Sequence, residues 1–255
     1  MAKFAIVTGA SSGIGLELAK LAARDGYDLL LVADTPFVDN ASAVGGHAET
    51  LEADLSTFDG VDRLLEAAGG RQVDLLCANA GHGLGRAFLD QDANEWRHVI
   101  DTNVVGTTYL IQKVLKDMVA RGDGKLLVTG SVAGYVPGSF QAVYNGTKAY
   151  VDSFVAAIQN EIKDVAGVTL TNLMPGPTDT EFFRRGDMMD TKVGADPKKE
   201  DPAITAKNGW DALMAGDASV VSGWKNKLQV AASGITPEAV KAEQHRKMAE
   251  PGTAE

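Results

Sequence analysis

Apolar residues along this chain fall into two alternating spacings. Short continuous apolar or β-prone runs occur at 3–7, 28–32, 50–53, 73–78, 126–128, 168–174 and 220–221, most of them closed by Gly, Pro, Asp or Asn. Runs of this length bounded by turn residues predict buried strands. Between them apolar positions recur at steps of three and four. Ile14, Leu18 and Leu21 mark a helix ending near Asp25-Gly26, and 57–68 marks a second. A third runs through Trp96 and Asn103 toward Arg121, and a fourth carries Val151, Val155, Ile158, Ile162 and Val165 on one face. Thr236-Pro237 opens the last, as capping residue and first-turn proline. Strands alternating with helices predict an α/β fold, a three-layer doubly wound sandwich whose mostly parallel sheet is covered on both faces. Ligands in such sheets bind at the C-terminal strand ends, where strand order reverses.

Three stretches break the pattern. Pro36 and Gly45-Gly46 make 35–46 short or irregular. Residues 179–210 read as charged and irregular, and the tail from Pro251 is expected to fray.

At 255 residues and 45% apolar, the chain suits one domain spanning 1–255, without repeat or linker. A net charge of −10 with no charged block argues against nucleic acid and anionic membranes as partners. Cys77 lies inside an apolar run and is expected to be a buried small side chain, with no disulfide to form. The first residues enter a strand pattern at once and no run reaches membrane-spanning length, so a soluble cytoplasmic protein is expected. The four histidines are too scattered to predict a metal site.

Candidate chemistry sits at the strand ends. After the first run comes Thr8-Gly9-Ala10-Ser11-Ser12-Gly13-Ile14-Gly15, a glycine turn opening a helix. Such a turn exposes backbone N–H groups at a positive helix end and lets a pyrophosphate approach the main chain. Its Gly-x-x-x-Gly-x-Gly spacing differs from the commonest dinucleotide fingerprint. Asp34 closes the second run about 20 residues later, where a carboxylate accepts hydrogen bonds from ribose hydroxyls and repels a 2′-phosphate. Neither the turn nor Thr35-Pro36-Phe37 offers an Arg or Lys, so NAD is preferred over NADP. The run 126–128 delivers Ser131 to the same rim, and Tyr144 and Lys148 stand one helical turn apart. A free phenol loses its proton near pH 10, and an adjacent ammonium lowers that by roughly 1 to 3 pH units.

Ser131, Tyr144-Asn145-Gly146-Thr147-Lys148 and the glycine turn together resemble the short-chain dehydrogenase/reductase family, over nearly the whole chain. The resemblance implies a Rossmann-like fold and reversible hydride transfer between a nicotinamide and a secondary alcohol or ketone, with Tyr144 as acid/base. Ser131 would steady the reacting oxygen, Lys148 would hold the nicotinamide ribose, and Asn103 would relay the proton through water. Gly9, Ser11, Ser12, Gly13, Ile14 and Gly15 would hold the pyrophosphate side. Asp54 and Leu55 would lie by the adenine, Asn79, Ala80 and Gly81 beside the central strands, and Pro175, Gly176 and Thr178 against the nicotinamide. Residues 179–210 would form a substrate lid bearing Phe182 and Phe183, with His82 on the cleft wall as a further substrate contact. Those phenylalanines with Met188 and Met189 hint at an apolar substrate, and relatives pair the helices carrying Asn103 and Tyr144 into homodimers or homotetramers. Alone, Asn103 would read as an exposed mid-helix residue, Asp54 as a helix cap and Asn79 as structural. The rival functions are a non-catalytic NAD(H)-binding sensor or scaffold, an NADP(H)-preferring carbonyl reductase, and a relative that eliminates or epimerises.

Overall fold

Phe4, Ala5, Ile6 and Val7 are all buried, which requires cover on both faces of the strand they form. The structure, a computed structural model, describes residues 2–37 and 43–254. That strand, β1 (Lys3–Thr8), is central. The chain continues through α1 (Gly13–Arg24), β2 (Tyr27–Ala33), β3 (Ala48–Glu52), α2 (Phe58–Ala67) and β4 (Leu75–Ala78). Next come α3 (Ala93–Ile100), α4 (Thr107–Arg121), β5 (Gly124–Thr129), α5 (Ala142–Glu161) and β6 (Val168–Met174). Two short helices, α6 (Phe182–Arg185) and α7 (Lys192–Ala195), precede α8 (Pro202–Ala215), β7 (Ser219–Val221), α9 (Trp224–Ser233) and α10 (Glu238–Ala249). The seven strands are all parallel, in the order β3-β2-β1-β4-β5-β6-β7. Order reverses between β1 and β4, which opens a crevice at their C-terminal ends.

Strand alternation divides the core in two. Phe4, Ile6, Leu76, Leu126 and Val128 face Ile111, Met118, Val151 and Val155 of α4 and α5. Ala5, Val7, Leu75, Cys77 and Leu127 face Leu18, Ala22, Trp210 and Leu213 of α1 and α8. The long helix expected through Asn103 is interrupted by a wide π-helical turn at Asp101–Gly106, and Asn103 is buried rather than exposed.

Several boundaries differ from the sequence pattern. The strands expected at 50–53 and 73–78 span 48–52 and 75–78. Thr236 does not cap α10, since its hydroxyl donates back to the Ala232 carbonyl. Of the stretch 35–46, residues 38–42 lie outside the described residues. The stretch 179–210 is not irregular throughout. Asp201 caps α8 by accepting from the Ala203 N–H at 2.8 Å, and the proline at 202 opens it. Residues 202–210 therefore belong to a core helix. Trp210 of α8 is buried, meets the Tyr27 ring edge-on at 6.4 Å and donates to Asp25 at 3.1 Å. In the tail, Gly252 and Ala254 donate to Asp190 and Thr253 accepts from Lys192 N–H, each within 3.3 Å. Among the described residues no helix is long and apolar enough to cross a membrane.

If α8 is core, Trp210→Ala should lower unfolding free energy by about 3–5 kcal/mol in chemical denaturation. A loss under about 1 kcal/mol would show that this helix is not part of the core.

Candidate active site

The crevice is built on a side-chain knot. Thr8 Oγ1 donates to the Cys77 carbonyl and accepts from the N–H groups of Asn79 and Ala80, both at 3.0 Å. Asn79 Nδ2 donates to Thr8 O at 3.1 Å, and its Oδ1 accepts from Thr129 Oγ1 at 3.0 Å. One carboxamide thus ties the ends of β1, β4 and β5. Gly9 turns at φ +65° with its missing Cβ only 2.9 Å from Asn79, and a Cβ at Gly15 would stand 2.1 Å from Gly9 O. Only glycine fits there. Ser12, at the N-terminus of α1, makes no side-chain cap, so the first N–H groups of the helix face the crevice.

Ser131 follows β5 in extended backbone, its Oγ accepting from Ala133 N–H at 3.1 Å. Val132 N–H donates to Pro175 O at 3.0 Å and joins this turn to the one after β6. Tyr144 lies buried on α5 with its phenol beside Ser131, whose Oγ donates to Pro175 O at 3.4 Å. One turn on, Lys148 Nζ donates to Thr129 O at 2.7 Å and stands 6.0 Å from the Tyr144 ring centroid. Asn103 reaches this group from the wide turn, accepting from His82 N–H at 2.8 Å and donating to His82 O at 2.8 Å and Thr147 Oγ1 at 3.0 Å.

Electrostatics here run against the sequence expectation. Burial pushes the Tyr144 phenol up to about 12, and only Ser131 beside it pulls it down. Burial likewise lowers Lys148 to about 8. Lys148 therefore does not acidify the phenol in this structure: both groups are desolvated, and the ammonium is turned onto the Thr129 carbonyl. Asp152, a further turn along α5, is raised by burial to about 6. It accepts from Asn172 Nδ2 at 2.9 Å and lies against the turn at Gly130, whose missing Cβ would stand 1.9 Å from Asp152 Oδ1. The sequence reading missed Asp152, although its spacing of four from Lys148 was available.

A single cavity of about 440 Å³ runs along the crevice. Every residue expected to touch cofactor or substrate lines it except Gly15, packed under Gly9, and Asn103, which lies behind Gly81. Asp54 accepts from Ser56 N–H at 2.9 Å, and Thr57, not Asp54, caps α2. Thr178 is buried, its hydroxyl donating to Gly176 O at 3.0 Å. Phe182 lies tilted at 55° to the Tyr144 ring, centroids 5.0 Å apart, while Met188 is buried beside Gly85 and lies outside the cavity lining, as does Met189.

His82 lines the cavity, and its side chain also holds Asp34: its Nε2 is 2.8 Å from Asp34 Oδ2 and its ring packs 4.7 Å from His98. That hydrogen bond is the main reason the Asp34 carboxyl lies below its ordinary value. Arg185 of α6 adds a guanidinium 3.6 Å from Asp34 and 3.3 Å from Thr35 Oγ1. The cation absent from the local sequence arrives from the segment 179–200. Arg86 pins that segment by pairing with Asp187 and Asp190; Arg86 and Asp187 both have positive φ, +79° and +54°. Val193, Lys225, Asn226, Gln229, His245 and Met248 complete the cavity wall, and no spacing in the sequence announces them.

A family model, short chain dehydrogenase, matches residues 3–190. An uncharacterized oxidoreductase of Staphylococcus saprophyticus is 32% identical over 223 residues, covering 83% of this chain and 91% of its own. A short-chain dehydrogenase from Sphingobium yanoikuyae, solved in complex with NADPH, superposes with a TM-score of 0.80 at 25% identity, over 91% of this chain and 94% of its own. A member from Burkholderia phymatum, in complex with NAD, shares the fold with a TM-score of 0.78 at 21% identity, over 90% of this chain and 92% of its own.

Asp152 generates a pH signature. Its folded value of about 6 exceeds the ordinary 3.8, so the folded state holds the extra proton and stability falls as pH rises between these values. Relative to Asp152→Asn, the parent should lose roughly 3 kcal/mol across that window in denaturant titrations. A flat or rising difference would contradict the buried carboxyl.

Proposed function

The chain belongs to the short-chain dehydrogenase family, a family of oxidoreductases, and from that premise we propose that it interconverts a secondary alcohol and a ketone with NAD(H). The observation that carries this reading is the meeting of Ser131, Tyr144 and Lys148 in one cavity with the glycine turn. The residues fit a dinucleotide. Gly9 and Gly15 let the turn close against Asn79 and against itself, where any Cβ would clash, and Ser12, Gly13 and Ile14 at the uncapped start of α1 line the crevice. The glycine turn would hold the pyrophosphate, Asp34 the adenosine ribose, and Lys148 the nicotinamide ribose. When bound, the nicotinamide supplies or accepts the hydride.

The chain's own residues handle the proton. A phenol pushed up to about 12 is protonated at pH 7, so Tyr144 meets a ketone as a proton donor. Ser131 donates a hydrogen bond to the same substrate oxygen and stabilises its developing charge. In the oxidative direction the phenol first gives up its own proton to the neutral form of Lys148, the neighbouring group that titrates nearest neutrality, at about 8, and the phenolate then takes the hydroxyl proton. Asn103 holds the 81–82 backbone against this group and, with water, carries the proton outward. Residues 179–200 act as the substrate lid, with Phe182 over Tyr144. The protein works in the cytoplasm as a homodimer or homotetramer paired through α4 and α5, where Tyr150, 41% exposed, stacks on Phe154.

One observation favours a second reading, use of NADP(H). The Arg185 guanidinium, 3.6 Å from Asp34, stands where a 2′-phosphate would need a cation.

Tyr144→Phe should lower turnover by roughly 10²-fold or more while NADH affinity, read by fluorescence titration, stays near the parent's. Turnover close to the parent's would remove Tyr144 from the mechanism. In cofactor competition, kcat/KM should favour NAD over NADP, and Asp34→Arg should reverse the order. If the parent prefers NADP and Arg185→Ala abolishes that preference, the second reading replaces the first.

A further inference from the structure

Beyond Tyr144 the cavity enters a region built largely by residues after 190. There α10 docks on the loop before α5 through three hydrogen bonds. Lys241 Nζ donates to Tyr135 O at 3.3 Å, Ser139 Oγ to Ala242 O at 3.0 Å, and His245 Nδ1 to Ser139 O at 2.9 Å. A carbonyl oxygen only accepts, so the Nδ1 of His245 carries the proton. Its Nε2 makes no hydrogen bond among the described residues, although the side chain is only 8% exposed and lines the cavity. Desolvation holds the imidazole below its ordinary value, hence neutral at pH 7 with a lone pair on Nε2.

Gln141 faces the same cavity from the N-terminus of α5, two residues after the carbonyl that His245 engages. It is 6% exposed, and its carboxamide makes no hydrogen bond among the described residues. The same cavity is lined by apolar Val136, Val193, Phe183 and Met248 and by polar Lys225, Asn226 and Gln229. Buried polar groups are kept where something satisfies them. Both groups face the open cavity, where a bound molecule can take the place of water on them.

We propose that Gln141 and His245 together bind a hydroxyl group of the substrate, making this enzyme selective for ketones that carry a hydroxyl and for the alcohols they yield. The proposal rests on the reading of Tyr144 as the reaction's acid/base. A hydroxyl meets both demands with one oxygen: its proton goes to Nε2 of His245, and its lone pair accepts from the Gln141 amide. A plain hydrocarbon leaves both groups unpaired, and a carboxylate brings no proton for Nε2. The apolar substrate suggested by Phe182 and Phe183 is accordingly amended to an apolar skeleton with one further polar point.

The test compares NADH- and NADPH-dependent reduction of cyclohexanone with that of each of its monohydroxy derivatives, in the parent, Gln141→Leu, His245→Phe and Tyr144→Phe. Sites built to hydrogen-bond a substrate hydroxyl discriminate strongly against the analogue lacking it. At least one derivative should exceed cyclohexanone in kcat/KM by about 10²-fold or more, and that ratio should collapse in Gln141→Leu and His245→Phe. Because the Gln141 carboxamide makes no hydrogen bond among the described residues, Gln141→Leu keeps the test valid even if His245→Phe unseats α10. No hydroxyl preference in the parent, or one unchanged in Gln141→Leu, overturns the proposal while turnover lost in Tyr144→Phe leaves the oxidoreductase reading standing. No reduction of any of these ketones with either cofactor overturns both.

Discussion

The carboxamide of Asn79 sets the geometry on which the crevice depends. A parallel sheet buried on both faces ends in backbone groups that neither water nor a neighbouring strand satisfies, so its C-terminal edge must be closed by side chains. Asn79 closes it between Thr8 and Thr129, at hydrogen bonds of 3.1 and 3.0 Å. The consequences spread from there. Gly9 and Gly15 are obligatory because the chain passes against Asn79 and then against itself. Thr129 in turn offers its carbonyl to Lys148, which anchors α5 and therefore Tyr144 over the same edge. The glycine turn and the candidate acid/base are held in register by one amide.

Burial drives the chemistry of the site in an unexpected direction. Tyr144, Lys148 and Asp152 occupy consecutive turns of α5, and desolvation pushes each toward its neutral form. Only Asp152 favours the charged lysine, and only Ser131 favours the charged phenol. A proton donor with a high pKa suits reduction of a carbonyl, because it keeps its proton until the substrate oxygen becomes basic. The sensor or scaffold alternative gives no reason for burying a lysine and a carboxyl beneath a phenol; proton transfer does.

What the sequence revealed, and what it hid, follows from the range of the interactions. The glycine turn, Ser131, Tyr144 and Lys148 were legible because each depends on neighbours within a few residues, one strand end or one helical turn. The parallel sheet was legible from the alternation of apolar runs with helical spacing. Features set by partners far along the chain were not. Trp210 is core because of Tyr27 and Asp25, and the last residues bond to Asp190. That the His82 ring on the cleft wall bonds Asp34, 48 residues away, could not be read locally, and Arg185 approaches the same carboxylate from α6. His245 becomes part of the cavity only through Ser139, 106 residues earlier. The fold and the shared chemistry are written locally, whereas selectivity for cofactor and substrate is written in tertiary contacts.

The central claim is direct hydride transfer between a nicotinamide and a carbonyl carbon held at Ser131 and Tyr144. It is tested most directly by incubating the protein with NADH deuterated at C4 of the nicotinamide and a ketone it reduces, then locating the label by mass spectrometry and NMR. The account predicts one deuterium on the carbinol carbon, delivered from one face of the cofactor and retained in ordinary water. Product alcohol without deuterium at that carbon, or with label exchanged into solvent, would contradict it.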